Sequence, residues 1–324
     1  MLSLALVVPV AMLGVVLLLV LKRSQFEKAI PIVALLLLLA QRRVEVGQAY
    51  ATLPSRAFYP PLSLLKTISA AEPFRIAAIG RTFIPEMSAL YELEDVRGDG
   101  AMTLAHLGEV VPLFSVAQPL WFNRIDDPTK PFLNFLNVRY VIAPPDYPAP
   151  EGWKIVGDDH GGRLLENPNV LPRAFVPRRV FRESDPARQL ELLRRITDFG
   201  EEGVVEGPPA PPFQIGEATV RISSYSAQRM ELEIDARERA LVATSLTGWP
   251  GWQLRLDGKE APLLMYNRAF LAFVLPPGRH AAVLFYWPRS FTAGLWISAV
   301  SLLATVILFA WPRTHIERGL DRMN

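Results

Sequence analysis

Uncharged apolar residues are concentrated in long runs near the two ends of the chain. Residues 1–21 contain no charged side chain and would extend about 31 Å as a helix, enough to cross the hydrocarbon core of a bilayer. Residues 290–311 form a second uncharged run, with Trp287 before it and Trp311 at its end, as in interfacial aromatic belts. Both runs are therefore predicted to be transmembrane helices.

A shorter apolar run, residues 29–41, admits more than one interpretation. Its 13 residues would reach only about 20 Å as a helix, which fits a buried core helix or a re-entrant segment. Lys28, Arg42 and Arg43 can extend toward the headgroups and lengthen its reach. A spanning helix would place the basic residues before it on the same side as the basic C-terminal tail, which the positive-inside rule favours. We therefore predict three spans, with residues 42–289 facing outward.

The first part of the outward-facing region, residues 45–212, mixes strand-like and helical patterns and is predicted to be a mixed α/β domain. Strand-like runs cover residues 74–79, 138–143, 153–156 and 163–166, and helical patterns cover residues 101–107 and 186–196. Asp185 lies just before the second helical run and is a suitable N-cap. The Pro-rich residues 207–212 are predicted to form a stiff linker.

After this linker the pattern is one of strands alone. Met230, Leu232 and Ile234 alternate with acidic residues, which is the period of a strand with one buried face. Further short runs follow at residues 241–247, 253–256, 262–266, 269–275 and 280–286. Because Gly-containing turns separate several of them, residues 213–288 are predicted to form a small antiparallel β-sandwich.

Together these patterns predict an α+β membrane protein. Its transmembrane helices flank an extracytoplasmic mixed α/β domain, which is followed by the β-sandwich. The predicted regions are residues 1–44 with two transmembrane helices, 45–212, 213–288, and 289–324 with the last helix and a basic tail. The predicted location is the plasma membrane, as a multi-pass protein with the bulk of the chain extracytoplasmic and the lipid bilayer as a partner.

The composition excludes several classes of chemistry. The chain has no Cys, so it has no disulfide scaffold, thiolate metal site or thiol nucleophile. Its 34 Lys and Arg are balanced by 32 Asp and Glu along the chain, so no nucleic-acid partner is predicted. His106, His160, His280 and His315 lack a second ligand at metal-binding spacing, and no phosphate-loop or nucleophile-elbow motif occurs. No metal site and no cofactor are therefore predicted.

The densest polar segment, residues 92–99, contains Asp95, Arg97 and Asp99. Carboxylates beside an Arg can bind a sugar, a cation or a phosphate. Alternatively, this segment is a solvated loop in which the acids pair locally with Arg97 and the glycines permit a turn. The three residues are candidate glycan or phosphate contacts.

Two Trp residues, Trp249 and Trp252, flank a Pro-Gly turn. Their flat rings can stack on the apolar face of a sugar and form a binding platform. Alternatively, the turn directs both rings into the sandwich core or onto the neighbouring domain, because Trp is usually heavily buried. Both residues are candidate glycan contacts.

A series of sequence blocks resembles the bacterial membrane protein YfhO family. The blocks are YELEDVRG at residues 91–98, NFLNVRYV at 134–141, ENPNVLPRAF at 166–175, WPGW at 249–252, DGK at 257–259, NRAF at 267–270, PGRH at 277–280 and PRSF at 288–291. Each block is short, and the specificity of the resemblance comes from their order over about residues 50–300.

The resemblance implies a polytopic protein of the GT-C-like superfamily, whose members transfer sugars from polyprenyl-phosphate donors on the outer face of the membrane. For YfhO-type members it implies glycosylation of cell-envelope polymers such as lipoteichoic acid. The catalytic carboxylate of such enzymes lies on the first outward loop of an N-terminal transmembrane bundle, and no residue here corresponds to it. A separate N-terminal bundle is therefore an expected partner. Arg97 or Arg139 is a candidate contact for the donor phosphate.

Three hypotheses of function follow. In the first, the chain is the C-terminal portion of a YfhO-like glycosyltransferase and assists transfer from a polyprenyl-phosphate sugar to an envelope glycan. In the second, it is a non-enzymatic, membrane-anchored glycan-binding module. In the third, it is a truncated product without independent function.

Overall fold

The computed structural model describes residues 14, 35–36, 38–40, 42–43, 62–68, 72–98, 104–116 and 123–310, apart from the side chains of 308–310. The chain divides into two compact units, Met1–Pro61 and Leu62–Asn324. In the first unit the described residues between 35 and 43 are helical and exposed, which agrees with a helix at 29–41. The predicted helix at 1–21, apart from the helical Gly14, and the basic tail lie outside the described residues.

The second unit combines short helices with many strands. Its described helices are the 3₁₀ segments Ser63–Thr67, Pro85–Tyr91 and Val111–Leu113 and the α-helices α1 Ala105–Val110, α2 Pro131–Phe135, α3 Pro186–Arg195 and α4 Arg289–Ala310. Its described strands are β1 Arg75–Ala78, β2 Val138–Ala143, β3 Lys154–Asp159, β4 Gly162–Glu166, β5 Ala174–Phe175, β6 Arg179–Glu183, β7 Glu202–Glu206, β8 Ala210–Gln214, β9 Ala218–Ser226, β10 Arg229–Ala236, β11 Ala240–Thr247, β12 Trp252–Leu256, β13 Lys259–Ala261, β14 Leu264–Tyr266, β15 Phe270–Leu275 and β16 Gly278–Tyr286. The predicted mixed α/β architecture is therefore confirmed for this unit.

A four-stranded sheet in the order β1-β2-β4-β3 contains the strands predicted at residues 74–79 and 138–143. β1 and β2 are parallel, and the connection between them includes α1 and α2, because parallel neighbours need a long crossover. β3 and β4, which contain most of the strand-like runs predicted at residues 153–156 and 163–166, pair antiparallel around a turn at His160 and Gly161.

The seven-stranded sheet, in the order β5-β11-β15-β14-β7-β6-β8, lies in the middle of the unit. β6 and β7 are parallel and joined by α3, which begins after the predicted N-cap Asp185. The Asp185 carboxylate accepts hydrogen bonds from the backbone N–H groups of Ala187 and Arg188 at 2.8 and 3.2 Å. It therefore satisfies two donors that a helix start leaves unpaired.

Each face of this middle sheet covers a separate hydrophobic core. Leu241 and Ala243 of β11 contribute to one core, and Ala240 and Val242 to the other, because successive residues of a strand point to opposite faces. The first core lies on the side of the four-stranded sheet and includes the packed rings of Phe132, Phe135, Phe199, Tyr266 and Phe270.

The second core lies between the middle sheet and a five-stranded sheet in the order β13-β12-β16-β10-β9. Met230, Leu232 and Ile234 of β10 are buried in it, as their alternation with acidic residues predicts. The β-sandwich is thus present. One of its two sheets, the seven-stranded sheet, also contains strands that precede residue 213.

Two local predictions need correction. The Pro-rich segment predicted to be a linker enters β8, which pairs with β6 at the edge of the seven-stranded sheet. An edge strand tolerates Pro because one side of its backbone needs no hydrogen-bond donors. The proposed boundary at residue 212 therefore falls inside one sheet and one compact unit. The helix predicted at 101–107 is found at Ala105–Val110, and residues 101–103 lie outside the described residues.

α4 extends away from the sheets. Its segment Arg289–Ile307 has a mean hydropathy of 1.8, none of the segment is buried, and it is long and apolar enough to cross a membrane. Among the described residues it is the one helix with these properties. It matches the span predicted at residues 290–311 as far as residue 310.

Candidate functional site

A cleft of about 760 Å³ lies where the five-stranded sheet meets the start of α4. Its lining residues are Pro250, Gly251, Trp252, Gln253, Leu254, Glu260, Ala261, Leu263, Trp287, Pro288, Arg289 and Ser290. The lining therefore combines two indole rings with carboxylate, guanidinium, amide and hydroxyl groups.

The Trp-Pro-Gly-Trp turn positions one wall of this cleft. Gly251 has a backbone φ of +123°, which residues with a side chain rarely adopt. Its carbonyl oxygen accepts a hydrogen bond from Trp287 N at 2.8 Å. The Trp252 ring is half-buried and packs edge-on against Tyr286, with 5.6 Å between ring centroids. Trp249 is 40% exposed and does not line the cleft. The structure thus separates the two Trp residues that the sequence groups together.

The polar groups of the cleft differ in how far they are already engaged. Gln253 Nε2 donates to the Trp287 carbonyl oxygen at 3.2 Å, which holds the two walls together. The exposed side chains of Glu260 and Arg289 have no hydrogen bond or ion pair with any other described residue. A carboxylate accepts from hydroxyl groups and a guanidinium donates to oxygens, so both are available to a polyhydroxylated or anionic ligand.

The predicted contacts Asp95 and Arg97 are instead buried together. Their side chains are 2% and 0% exposed, and Arg97 Nη2 lies 2.7 Å from Asp95 Oδ2. Arg97 Nη2 also donates to the Phe83 carbonyl oxygen at 2.6 Å. This geometry gives the pair a role in holding the 79–97 segment against β1. Asp99 lies outside the described residues.

Arg139, the other predicted phosphate contact, lies on β2 and forms a partly exposed ion pair. Its Nη2 is 3.2 Å from Glu166 Oε1, and its guanidinium stacks over the Tyr140 ring at 5.5 Å from the centroid. It does not line the cleft beside α4. Of the six predicted contacts, the structure places Trp252 in this cleft.

A hydrogen-bond network that the sequence patterns did not predict surrounds Arg173. The Arg173 side chain is fully buried and donates to the Glu94 carboxylate at 2.7 Å, the Tyr225 hydroxyl at 2.7 Å, Asn137 Oδ1 at 3.1 Å and the Phe74 carbonyl oxygen at 3.1 Å. Glu94, Asn137 and Arg173 come from three different sequence blocks. Their occurrence in three blocks of the same resemblance could have indicated the network from the sequence. In the structure the network links the segments at β1, β5 and β9.

Burial and neighbouring charges shift the pKa values of the members of this network. Partial burial opposes ionisation of Glu94, but the Arg173 and Arg75 guanidiniums outweigh this effect and hold the pKa of the carboxyl below its usual value. Burial, with the nearby Arg173 charge, lowers the pKa of Arg75 to about 10. Burial raises the pKa of Tyr225 to about 12. The hydroxyl of Tyr225 thus stays protonated and donates to Glu94 Oε1 at 2.8 Å.

The block NRAF at 267–270 also has a structural explanation. Asn267 adopts φ +44°, and its side chain accepts a hydrogen bond from Val204 N at 2.9 Å. The largely buried Arg268 pairs with Glu109 of α1, with Nε 2.5 Å from Oε2. Phe270 enters the aromatic core. This block therefore ties the β14–β15 turn to β7 and α1.

Residues 213–298 match the family model described as bacterial membrane protein YfhO. This segment is similar to the YfhO family. It contains the five-stranded sheet, the whole cleft lining and the first part of α4. The resemblance to the YfhO family is therefore confirmed for these residues, while the blocks that contain Asp95, Arg97, Arg139 and Arg173 precede the match. No curated protein and no solved structure matches the chain.

The described residues contain no group of three His, Asp or Glu side chains placed to hold a metal ion. The cleft, which lies inside the matched segment, offers indole rings, Glu260, Arg289 and Ser290. Its carboxylate, guanidinium and hydroxyl groups are suited to binding a polar ligand.

Proposed function

We propose that the chain is the membrane-anchored, extracytoplasmic C-terminal portion of a YfhO-like, glycosyltransferase-like protein. It assists transfer of sugars from polyprenyl-phosphate donors to cell-envelope polymers by holding a glycan in the cleft between Trp252 and Trp287. A separate N-terminal transmembrane bundle supplies the catalytic carboxylate. The observation that carries the proposal is the cleft itself, which lies inside the YfhO-matched segment and at the start of an apolar helix.

The cleft has the chemical groups that glycan binding requires. Aromatic faces pack against the C–H face of a sugar ring, and Trp252 and Trp287 provide two such surfaces. Glu260 accepts hydrogen bonds from sugar hydroxyls, and Arg289 donates to hydroxyl or phosphate oxygens. A volume of about 760 Å³ falls within the usual range for small-molecule sites.

The position of the cleft also suits a lipid-linked sugar. Pro288 and Arg289 line the cleft, and the predicted transmembrane segment begins at Arg289. A sugar attached to a membrane lipid through a phosphate stays close to the bilayer surface. The cleft would therefore meet the glycan without lifting the lipid from the membrane.

Substitution of Trp252 tests glycan binding. We expect Trp252→Ala in the purified full chain, measured on an array of cell-envelope oligosaccharides, to weaken binding about tenfold, equivalent to about 1.4 kcal/mol. Trp252→Phe keeps an aromatic face and should restore most of the binding, while Trp153→Phe, outside the cleft, should leave it unchanged. Near-UV circular dichroism confirms that each variant is folded. Unchanged binding by folded Trp252→Ala would refute the proposal.

A transfer assay tests the division of labour with the N-terminal bundle. We expect the purified chain alone to transfer no sugar from a polyprenyl-phosphate donor to an envelope polymer. Membranes from cells that lack the chain should lose transfer and regain it when the chain is restored. Robust transfer by the purified chain would contradict the proposal. Unchanged transfer in cells without the chain would leave glycan binding as its function.

A further inference from the structure

The Trp-Pro-Gly-Trp turn is fixed to the start of α4. The Gly251 carbonyl accepts the Trp287 N–H at 2.8 Å, and a methyl group placed on Gly251 would lie 2.8 Å from Pro288 Cα. Gln253 Nε2 adds a bond to the Trp287 carbonyl oxygen. These contacts hold the turn close against the start of the helix.

Large aromatic side chains remain exposed around this junction. Trp249 is 40% exposed, Trp287 47% and Phe291 51%. The Trp287 and Phe291 rings pack edge-on with 4.9 Å between centroids, and Trp287 Nε1 donates to Thr292 Oγ1 at 2.9 Å. We call Trp249, Trp287 and Phe291 the seating surface. Exposed aromatics grouped in this way mark an interaction surface.

We propose that the seating surface lies in the interfacial headgroup layer of the bilayer, so that the five-stranded sheet stands directly on the membrane. The apolar segment begins at Arg289, and a terminal Arg can extend its charge to the phosphates. Trp side chains favour this layer because their rings are apolar and their N–H groups are polar. Trp249 reaches the layer because Gly251 and Pro288 hold its turn beside the first turn of the helix.

Continuity with α4 favours lipid over a protein partner as the occupant of this surface. None of the segment Arg289–Ile307 is buried in the structure, and Phe291 belongs to both the segment and the seating surface. A bilayer that surrounds this segment therefore surrounds Phe291, and its headgroup layer extends to the adjacent Trp287. This assigns Trp249 to the membrane instead of the predicted glycan platform, and it does not depend on glycan binding in the cleft.

The absence of Cys from the chain permits a direct test with single introduced thiols. Pro250→Cys places an environment-sensitive nitrobenzoxadiazole label on the exposed turn beside Trp249 and leaves all Trp residues intact. Ile297→Cys, 67% exposed on α4, is the deep control, and Lys154→Cys on exposed β3 is the water-exposed control. Each full-length variant is reconstituted into phosphatidylcholine vesicles that carry a nitroxide either on the headgroup or near the end of the acyl chain.

We expect the label at 250 to shift its emission to shorter wavelength than the label at 154. It should also be quenched more strongly by headgroup nitroxides than by acyl-chain nitroxides. The label at 297 should show the opposite preference. Adding Trp249→Ser to Pro250→Cys should return the emission toward that of position 154. A label at 250 that behaves as the one at 154, or that is unaffected by Trp249→Ser, would overturn the proposal.

Discussion

Replacing Arg173 by Met would remove a guanidinium around which three distant segments are organised. The side chain is fully buried and donates four hydrogen bonds, to Glu94, Tyr225, Asn137 and the Phe74 carbonyl. It also stacks over the Tyr225 ring at 4.7 Å from the centroid. Met fills a similar length of the cavity but provides no donor, so each of these acceptors loses the hydrogen bond that Arg173 donates.

The structure sets the expected size of this effect. Hydrogen bonds of this kind contribute about 1 kcal/mol each, and breaking a buried ion pair from one side costs about 3–5 kcal/mol. The Glu94 side chain is 42% exposed, and Arg75 Nε, which the variant retains, lies 3.4 Å from Glu94 Oε2. The charge of Glu94 therefore stays partly compensated. We therefore expect Arg173→Met to lower the free energy of unfolding by about 3 kcal/mol, toward the lower end of that range.

Arg139→Met is the matched control, because Arg139 of β2 also pairs with a Glu, Glu166 of β4. The side chains of Arg139 and Glu166 are 34% and 27% exposed, and such partly exposed pairs contribute at most about 1 kcal/mol to the free energy of unfolding. Urea denaturation of the detergent-solubilised full chain, followed by tryptophan fluorescence, measures both variants. A loss for Arg173→Met no larger than that for Arg139→Met would refute the view that the buried network supports the fold.

Two further predictions concern a histidine and a glycine. The hydrogen bond that the His280 ring donates to the Asp257 carboxylate raises the pKa of His280, so the stabilisation from this pair is complete below about pH 6.5 and is lost as the pH rises through the folded-state value. The melting temperature should therefore fall more between about pH 6 and pH 8 in the wild-type chain than in His280→Gln; equal slopes would contradict this. Gly203→Ala should cost about 1–3 kcal/mol or more, because the added methyl would overlap the buried Tyr266 hydroxyl. Gly108→Ala is the control, because Gly108 lies on exposed α1 and a methyl group added there meets nothing within 4 Å. It should raise the free energy of unfolding by about 0.5–1 kcal/mol. Equal effects of Gly203→Ala and Gly108→Ala in the same urea titration would contradict this prediction.

The fold was most predictable where local pattern and burial agree. β2 and β10 follow from an apolar run and a strict alternation, and α3 follows from its N-cap and apolar spacing. β8 and β9 were missed because their residues are Pro-rich or contain Ser and Thr, and their strand form depends on neighbouring strands. Edge strands give weak sequence signals because one side of each faces water.

The candidate site was less predictable, because tertiary contacts assemble it. Trp252 was identified from its motif, but Glu260 and Arg289 enter the cleft through β13 and the start of α4. Arg97 was expected at a ligand, yet it is buried against Asp95. The contact between Glu94 and Arg173 joins residues 79 apart in sequence, and no local pattern reports such a distance.

Photo-crosslinking from the cleft tests the proposed function most directly. A diazirine-bearing residue replaces Glu260, which lines the cleft, or Glu238, an exposed control in the turn between β10 and β11. The full chain in native membranes is irradiated and digested, and peptides carrying sugar or polyprenyl-phosphate adducts are identified by mass spectrometry. We expect glycan-containing adducts from position 260 and none from position 238. Adducts at neither position, or equally at both, would contradict a glycan-binding cleft beside α4.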